Sequence, residues 1–267
     1  MQKYILCVIF ITFIYLLYSK CDVRQVYDLN NIAYTETKFS KQYPINNDFF
    51  IMRHYPKYES FFDQFKSYRY YVLEENKKIL GTFCMSYTKN KLCYMCDLKS
   101  LEKGTNLVYK LSKHLFFRYN FFTLKCFGIT MLPNPAIQHI YSKYFFIIYT
   151  KLYLYQITLS IIKKYNDLFQ KIFPNYFFVA GYKKLSLISS NKKIKLCHIA
   201  TPEDTNYINQ QSKFYPSSGY EIMFCLHEHN KYNKILNQNN ISHVSEMSVI
   251  GRNCENVNWN FIRTYMI

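Results

Sequence analysis

The chain has 267 residues and a net charge of +17, enough length to bury a real core as one large domain or two small ones. Of the 34 basic residues, 28 are Lys and only 6 are Arg, scattered along the chain. Bidentate phosphate and base-edge contacts favour Arg, so this composition argues against a dedicated nucleic-acid reader. The 28 Tyr and 23 Phe come with abundant Lys, Asn and Ile. All have AT-rich codons, so base composition accounts for much of the charge. What the charge still predicts is attraction to polyanions, including a phosphorylated cofactor or an anionic membrane surface.

At the N-terminus, Tyr4 to Tyr18 is an uncharged run of 15 residues inside KYILCVIFITFIYLLYSK. As a helix it would extend about 22 Å, short of the roughly 30 Å hydrocarbon core. Tyr4, Tyr15 and Tyr18 suit an interface, and the flanking Lys can snorkel. The segment is apolar on every face, which disfavours a helix of a soluble core. No small-x-small cleavage site precedes Cys21. Residues 1–21 therefore read as a membrane-associating anchor or signal segment, with a cytoplasmic protein as the alternative.

DVRQVY alternates like a strand, and Asp28 can cap a helix through NNIAYTETKF. In HYPKYESFFDQFKSY, the spacing of Tyr58, Phe61, Phe62 and Phe65 predicts one apolar helical face. YRYYVLEE, KKILGTFCMSY and KLCYMCDL, split by polar turns at Asn76 and Lys89-Asn90, predict three consecutive antiparallel strands. Gly104 then marks a turn, with Thr105 or Asn106 as cap to a helix whose spine is Leu107, Leu111 and Leu115. LKCFGITML reads as a buried strand. NPAIQHIYSKYFF opens as a helix, with Asn134 as cap and Pro135 in the first turn. YFFIIYTKLYLYQITL reads as one or two strands.

Beyond Lys163, FFVAGY, KLSLIS, KIKLCHI and EIMFCL are strand-like. ATPEDTNYINQQSKFY and KYNKILNQ are helix-like, and NWNFIRTYMI reads as a terminal strand. Cys93 and Cys96 form a CxxC, but residues three apart on a strand face opposite ways and cannot share a metal. Both read as packing residues, and the nine Cys as reduced thiols. His227 and His229 lack a Cys or carboxylate partner at ligand spacing, so LHEH reads as a surface turn. No metal site is expected.

The order strand, strand, strand, glycine turn, helix, strand, Asn-capped helix, strand resembles the GNAT acyltransferase superfamily. Lys103-Gly104 before the Leu107 helix resembles that family's pyrophosphate loop, R-G-x-G-x-G/A. NPAIQHIYSKYFF resembles its second signature, N-x-x-A-x-x-x-Y-x-x-x-G-F, through Asn134, Tyr141 and Phe146. FFIMRHYPKYESFF and CDLKSL resemble an R-x-P-x-F segment and a D-L-R-V strand end of one subgroup. The chain departs from the pattern at Lys103, Asn106, Val108, Ile137 and Phe145.

This resemblance implies an α/β (α+β) fold with a central mixed, mostly antiparallel sheet flanked by helices, preceded by the hydrophobic N-terminal helix. It implies a core over residues 22–162. Residues 163–267 would be either an extension completing the sheet or a second, degenerate α/β domain. It implies an acyl-CoA-dependent N-acyltransferase with acetyl-CoA or another acyl-CoA as co-substrate. The cofactor would lie on Lys103, Gly104, Thr105, Asn106, Leu107 and Asn134, because a helix N-terminus is a natural anion site. Tyr141 would protonate the leaving thiolate, and Asp97 or Glu102 would accept the amine proton. Asp97 can equally hold the strand end, where a V-shaped gap is expected to open towards LKCFGITML. Two alternatives stand beside this: a non-catalytic GNAT-like binding or structural protein, and a basic protein bound to nucleic acid or anionic lipid. The acceptor amine is left open.

Overall fold

The computed structural model describes residues 22–29, 32, 36, 42–45, 48–54, 56–100, 110, 114, 118, 123–132, 146–209 and 211–267. The hydrophobic segment 4–18 lies outside these residues. Among those described, no helix is long and apolar enough to cross a membrane.

The expected meander is present. β4 (Ser67–Glu75), β5 (Lys78–Tyr87) and β6 (Cys93–Ser100) pair antiparallel in sequence order, with β1 (Asp22–Val26) against β4. Asn76 and Lys77 both take positive φ, which is what a two-residue hairpin turn needs to match the strand twist. The strands read as nearly continuous apolar runs because both faces are covered. Tyr70 and Val72 enter one cluster, while Tyr71 and Leu73 enter another on the opposite side. Cys93 and Cys96 divide in the same way.

β7 (Cys126–Met131) and β8 (Ile147–Thr158) follow, but they do not pair with each other. The late strand β15 (Ser245–Arg252) runs between them, antiparallel to both. Its Gly251 is required there: a Cβ would stand 2.6 Å from the Cys126 carbonyl oxygen and 3.2 Å from Phe127 Cα. Beyond β8 the same sheet continues through β14 (Glu221–His227), β12 (Leu196–Ala200), β9 (Phe177–Ala180) and β13 (Lys213–Phe214), giving 11 strands.

From β4 to β13 the pairings form a palindrome about the β15–β8 pair: two antiparallel, one parallel, three antiparallel, one parallel, two antiparallel. The two parallel pairs, β6–β7 and β12–β14, sit symmetrically on either side.

A second sheet packs on one face. It contains β2 (Gln42–Ile45), β3 (Asp48–His54), β10 (Lys183–Leu187) and β11 (Lys193–Ile194), in the order β11-β10-β3-β2. Phe50, Ile45, Leu185 and Ile194 join it to the main core. Three short helices, α1 (Leu159–Lys164), α2 (Asn166–Ile172) and α3 (Tyr232–Gln238), cover the other face at the β14 end. Ile32 and Glu36 are helical, as are Lys110, His114 and Arg118.

Three sequence expectations are corrected. The 58–65 segment is not a full helix. Glu59–Phe61 is a single 3-10 turn, and the Lys66 amide already donates to the Tyr87 carbonyl to start β4, although Tyr58, Phe61, Phe62 and Phe65 are all buried as expected. ATPEDTNYINQQ is helical only at the 3-10 run Pro202–Asn206, closed by a Thr201–Asp204 capping box. NWNFIRTYMI is not a strand. It forms 3-10 turns Trp259–Phe261 and Thr264–Met266, and the final strand is SEMSVIGR. In LHEH, Leu226 and His227 end β14 and the turn begins at Glu228: His227 Nδ1 accepts from the His229 amide at 3.1 Å, and His227 Nε2 lies 2.7 Å from Thr150 Oγ1.

Candidate functional site

The pairing of β6 and β7 ends early, at the place where a V-shaped gap is expected. Among the described residues these parallel strands pair only at Cys93↔Cys126 and Tyr94↔Phe127, then run on to Ser100 and Met131 without pairing with each other. The crotch is held by the stacked rings of Tyr94 and Phe127, with centroids 5.0 Å apart. At the next position a Cβ on Gly128 would approach the Met95 carbonyl oxygen to 3.2 Å. A bulge then bends β6. Thr82 pairs with Lys99 and Cys84 with Cys96, so one residue of β5 faces two of β6. Asp97 takes φ 54°, and its carbonyl accepts from Thr82 Oγ1 at 3.0 Å.

The bulge also turns the Asp97 side chain into the core beneath the gap. Its carboxylate accepts from the hydroxyls of Tyr58 and Tyr70 and from Lys99 Nζ, the last at 2.6 Å. Lys99 also reaches Glu36 at 3.2 Å, and Glu36 accepts from His54 Nδ1 at 2.6 Å. Burial pushes the Asp97 carboxyl up, but the Lys99 charge pulls it further down, to about 2. Burial likewise lowers Lys99, but Asp97 and Glu36 raise it on balance. Burial lowers His54, leaving it a neutral imidazole near pH 7. With Nδ1–H given to Glu36, its Nε2 is a lone-pair acceptor, buried and unpartnered among the described residues.

Lys183, on β10, stands at the edge of this cluster. Its ammonium lies 4.0 Å from the Phe61 ring centre and donates to the Ile267 carbonyl oxygen at 2.7 Å. Burial pulls it down to about 8.

The second parallel pair is closed. β12 and β14 pair at three positions, the last being His198↔Met223. Over that position His198 Nδ1 donates to Thr264 Oγ1 at 2.8 Å, and the Thr264 hydroxyl donates to the Met223 carbonyl at 2.9 Å. The Arg263–Asp204 ion pair at 3.1 Å and the Tyr265–Asp204 hydrogen bond at 3.0 Å clamp this C-terminal turn.

Of the residues singled out from sequence, Asp97 lies in the bulge inside β6 rather than at the strand end, because β6 continues to Ser100, and its side chain is buried. Tyr141, Asn134, Glu102, Lys103, Gly104, Thr105, Asn106 and Leu107 lie outside the described residues. Tyr58, Tyr70, Glu36, His54, Lys99 and Lys183 were not singled out. The seven described cysteines are buried free thiols, and burial pushes Cys126, Cys197 and Cys225 up to about 12, which makes them inert. Among the described residues no three His, Cys, Asp or Glu gather to hold a metal.

The solved structures this chain is similar to are GNAT acetyltransferases. A tandem GNAT protein from the clavulanic acid biosynthesis pathway aligns over 87% of this chain and 98% of its own, at 6% identity and TM-score 0.49. A GCN5-related N-acetyltransferase from Anabaena variabilis aligns over 86% and 72%, at 8% identity and TM-score 0.40. A GNAT-family acetyltransferase from Colwellia psychrerythraea aligns over 86% and 98%, at 8% identity and TM-score 0.39. No family model matches the sequence, and no curated protein does.

Proposed function

We propose that the protein is an acyl-CoA-dependent N-acyltransferase of GNAT type, with the cofactor arm inserted in the β6–β7 gap. The observation that carries this reading is the gap itself. Two parallel strands stop pairing beside a glycine contact and a bulge, a backbone arrangement suited to an extended amide-bearing ligand lying along it. The palindromic partner of this site is filled by the chain's own turn, so among the described residues the β6–β7 pair is the better candidate for a cofactor.

In this reading the amine attacks the thioester carbonyl, the new C–N bond forms, and the C–S bond breaks. Tyr141 gives its phenolic proton to the departing thiolate and regains one from solvent. A phenol's ordinary pKa near 10 keeps it protonated at neutrality. Asp97 serves as the anchor of the bulge. A carboxylate at about 2, locked by Lys99 and two tyrosines, is a weak base. His54 Nε2 is buried against the rings of Tyr58, Phe61 and Phe62, which keeps it from a substrate amine and leaves Glu102 as the candidate acceptor. Lys103, Gly104, Thr105, Asn106, Leu107 and Asn134 carry the pyrophosphate end.

The test is thiol release from acyl-CoA in the presence of a panel of small amines and peptide N-termini. Amine-dependent release that falls in Tyr141→Phe with binding retained supports the reading. Absence of both release and CoA-competable binding sinks it. The side chains at Asn106 and Val108, where glycines would admit phosphate, favour one second reading: a protein that binds acyl-CoA without turnover. It predicts saturable binding and a Tyr141→Phe variant changed in nothing but stability.

A further inference from the structure

A cavity of about 50 Å³ lies between the two sheets, under β3 and β10. Its walls are mostly apolar, with Met52, Met131, Met223, Met247, Leu154 and Leu196 beside the polar Lys183, His198 and Thr264. Met131 and Met247 are a cross-strand pair at the open end of the β6–β7 gap, where β7 stops. Met223 lies at the closed crotch of the second gap, beside His198. The cavity therefore reaches from Met131 at the end of β7 to Met223 on β14. Lys183 lines it and also faces the Asp97 cluster, which joins the cavity to the chemistry side.

We infer that this cavity receives the aliphatic tail of the acyl group, and that the acyl donor carries a short chain of about four to six carbons rather than acetyl. The inference rests on the acyltransferase reading above. Three features support it. The lining offers the chain apolar surface, and its own polar groups there are largely spoken for: His198 Nδ1 by Thr264, Tyr182 by Gln211 and Lys183 by Ile267. The volume fits about four water-sized groups, at roughly 10–15 Å³ for each. Four of the walls are Met, whose unbranched thioether side chains adapt to a flexible guest.

Burial of each methylene from water raises affinity about fourfold. Going from acetyl to butyryl adds two methylenes, so butyryl-CoA should bind roughly fifteenfold tighter than acetyl-CoA. The test is calorimetry of the full chain with free CoA and with acetyl-, butyryl-, hexanoyl- and decanoyl-CoA. Two variants accompany it. Leu196→Phe fills the cavity and should flatten the series, removing the gain of butyryl- over acetyl-CoA. Met52→Ala enlarges it and should move the optimum to a longer chain, so the inference remains testable if Leu196→Phe fails to fold. Equal affinities for acetyl-, butyryl- and hexanoyl-CoA, or an optimum that neither variant moves, would overturn the inference and leave the acyltransferase reading standing. Binding of none of these thioesters would overturn both.

Discussion

Replacing Asp97 with Asn separates an anchoring carboxylate from a catalytic one. Asn is the right probe because it keeps the side-chain shape and tolerates the left-handed backbone at φ 54°. The substitution removes the negative charge from a site where Lys99 lies 2.6 Å away and two tyrosine hydroxyls donate. The cost can be worked in two ways. The carboxyl is held at about 2 against an ordinary 3.8, and that difference is worth about 2–3 kcal/mol at neutral pH. Breaking a buried ion pair by removing one partner costs about 3–5 kcal/mol, reduced here because Lys99 keeps Glu36 at 3.2 Å. We expect about 3 kcal/mol, read in urea melts at pH 7 as a lower midpoint with an unchanged slope, and about 6–10 °C in Tm. Because the folded-state value is depressed, the contribution is present above the ordinary carboxylate range and is lost as pH falls through about 2. The double variant Asp97→Asn/Lys99→Met should cost less than the sum of the single changes. A Tm within 1 °C of the parent, with acyl transfer abolished, would refute the anchoring role and make Asp97 a base.

Three further outcomes follow from the same geometry. His198 is held down to about 3 by burial, so below its ordinary value the unfolded chain binds a proton that the native state refuses. Stability should therefore fall as pH drops from about 6.5, by about 2 kcal/mol at pH 5, and His198→Gln should remove that part of the slope in pH-dependent melts. Gly251→Ala should destabilise by more than about 2 kcal/mol, because its Cβ meets backbone on the neighbouring strand; a near-neutral melt would contradict the central position of β15. His54→Gln should lower the melting temperature, because it breaks the buried bond to Glu36, with acyl-CoA affinity unchanged; an unchanged melt would contradict that structural role.

The local parts of the fold were legible in the sequence. Alternating Tyr, Val and Leu with turn residues at Asn76 mark the meander, whereas the bulge that carries Asp97 inside β6 has no such mark. What escaped was non-local. Tyr58, Tyr70 and Glu36 stand 39, 27 and 61 residues from Asp97, and among 28 tyrosines nothing marks two as its donors. The insertion of β15 between β7 and β8 has no local signature either. NWNFIRTYMI has strand-like alternation, but Asn258 caps a local turn by accepting from the Asn260 amide, and two side chains find tertiary partners: Arg263 reaches Asp204 and Thr264 reaches Met223. Those bonds wind the segment into turns. Tertiary partners override a weak local preference there, as they do where Glu59–Phe61 stops short of a full helix.

The placement of an acyl-CoA arm in the β6–β7 gap is tested most directly by amide hydrogen exchange with and without a saturating acyl-CoA. Exchange should slow at residues 95–100 and 128–131 on binding, while the closed β12–β14 pair at 196–200 and 221–227 stays unchanged. Saturable binding with no change at 95–100 and 128–131, or with protection confined to the second pair, would contradict the account.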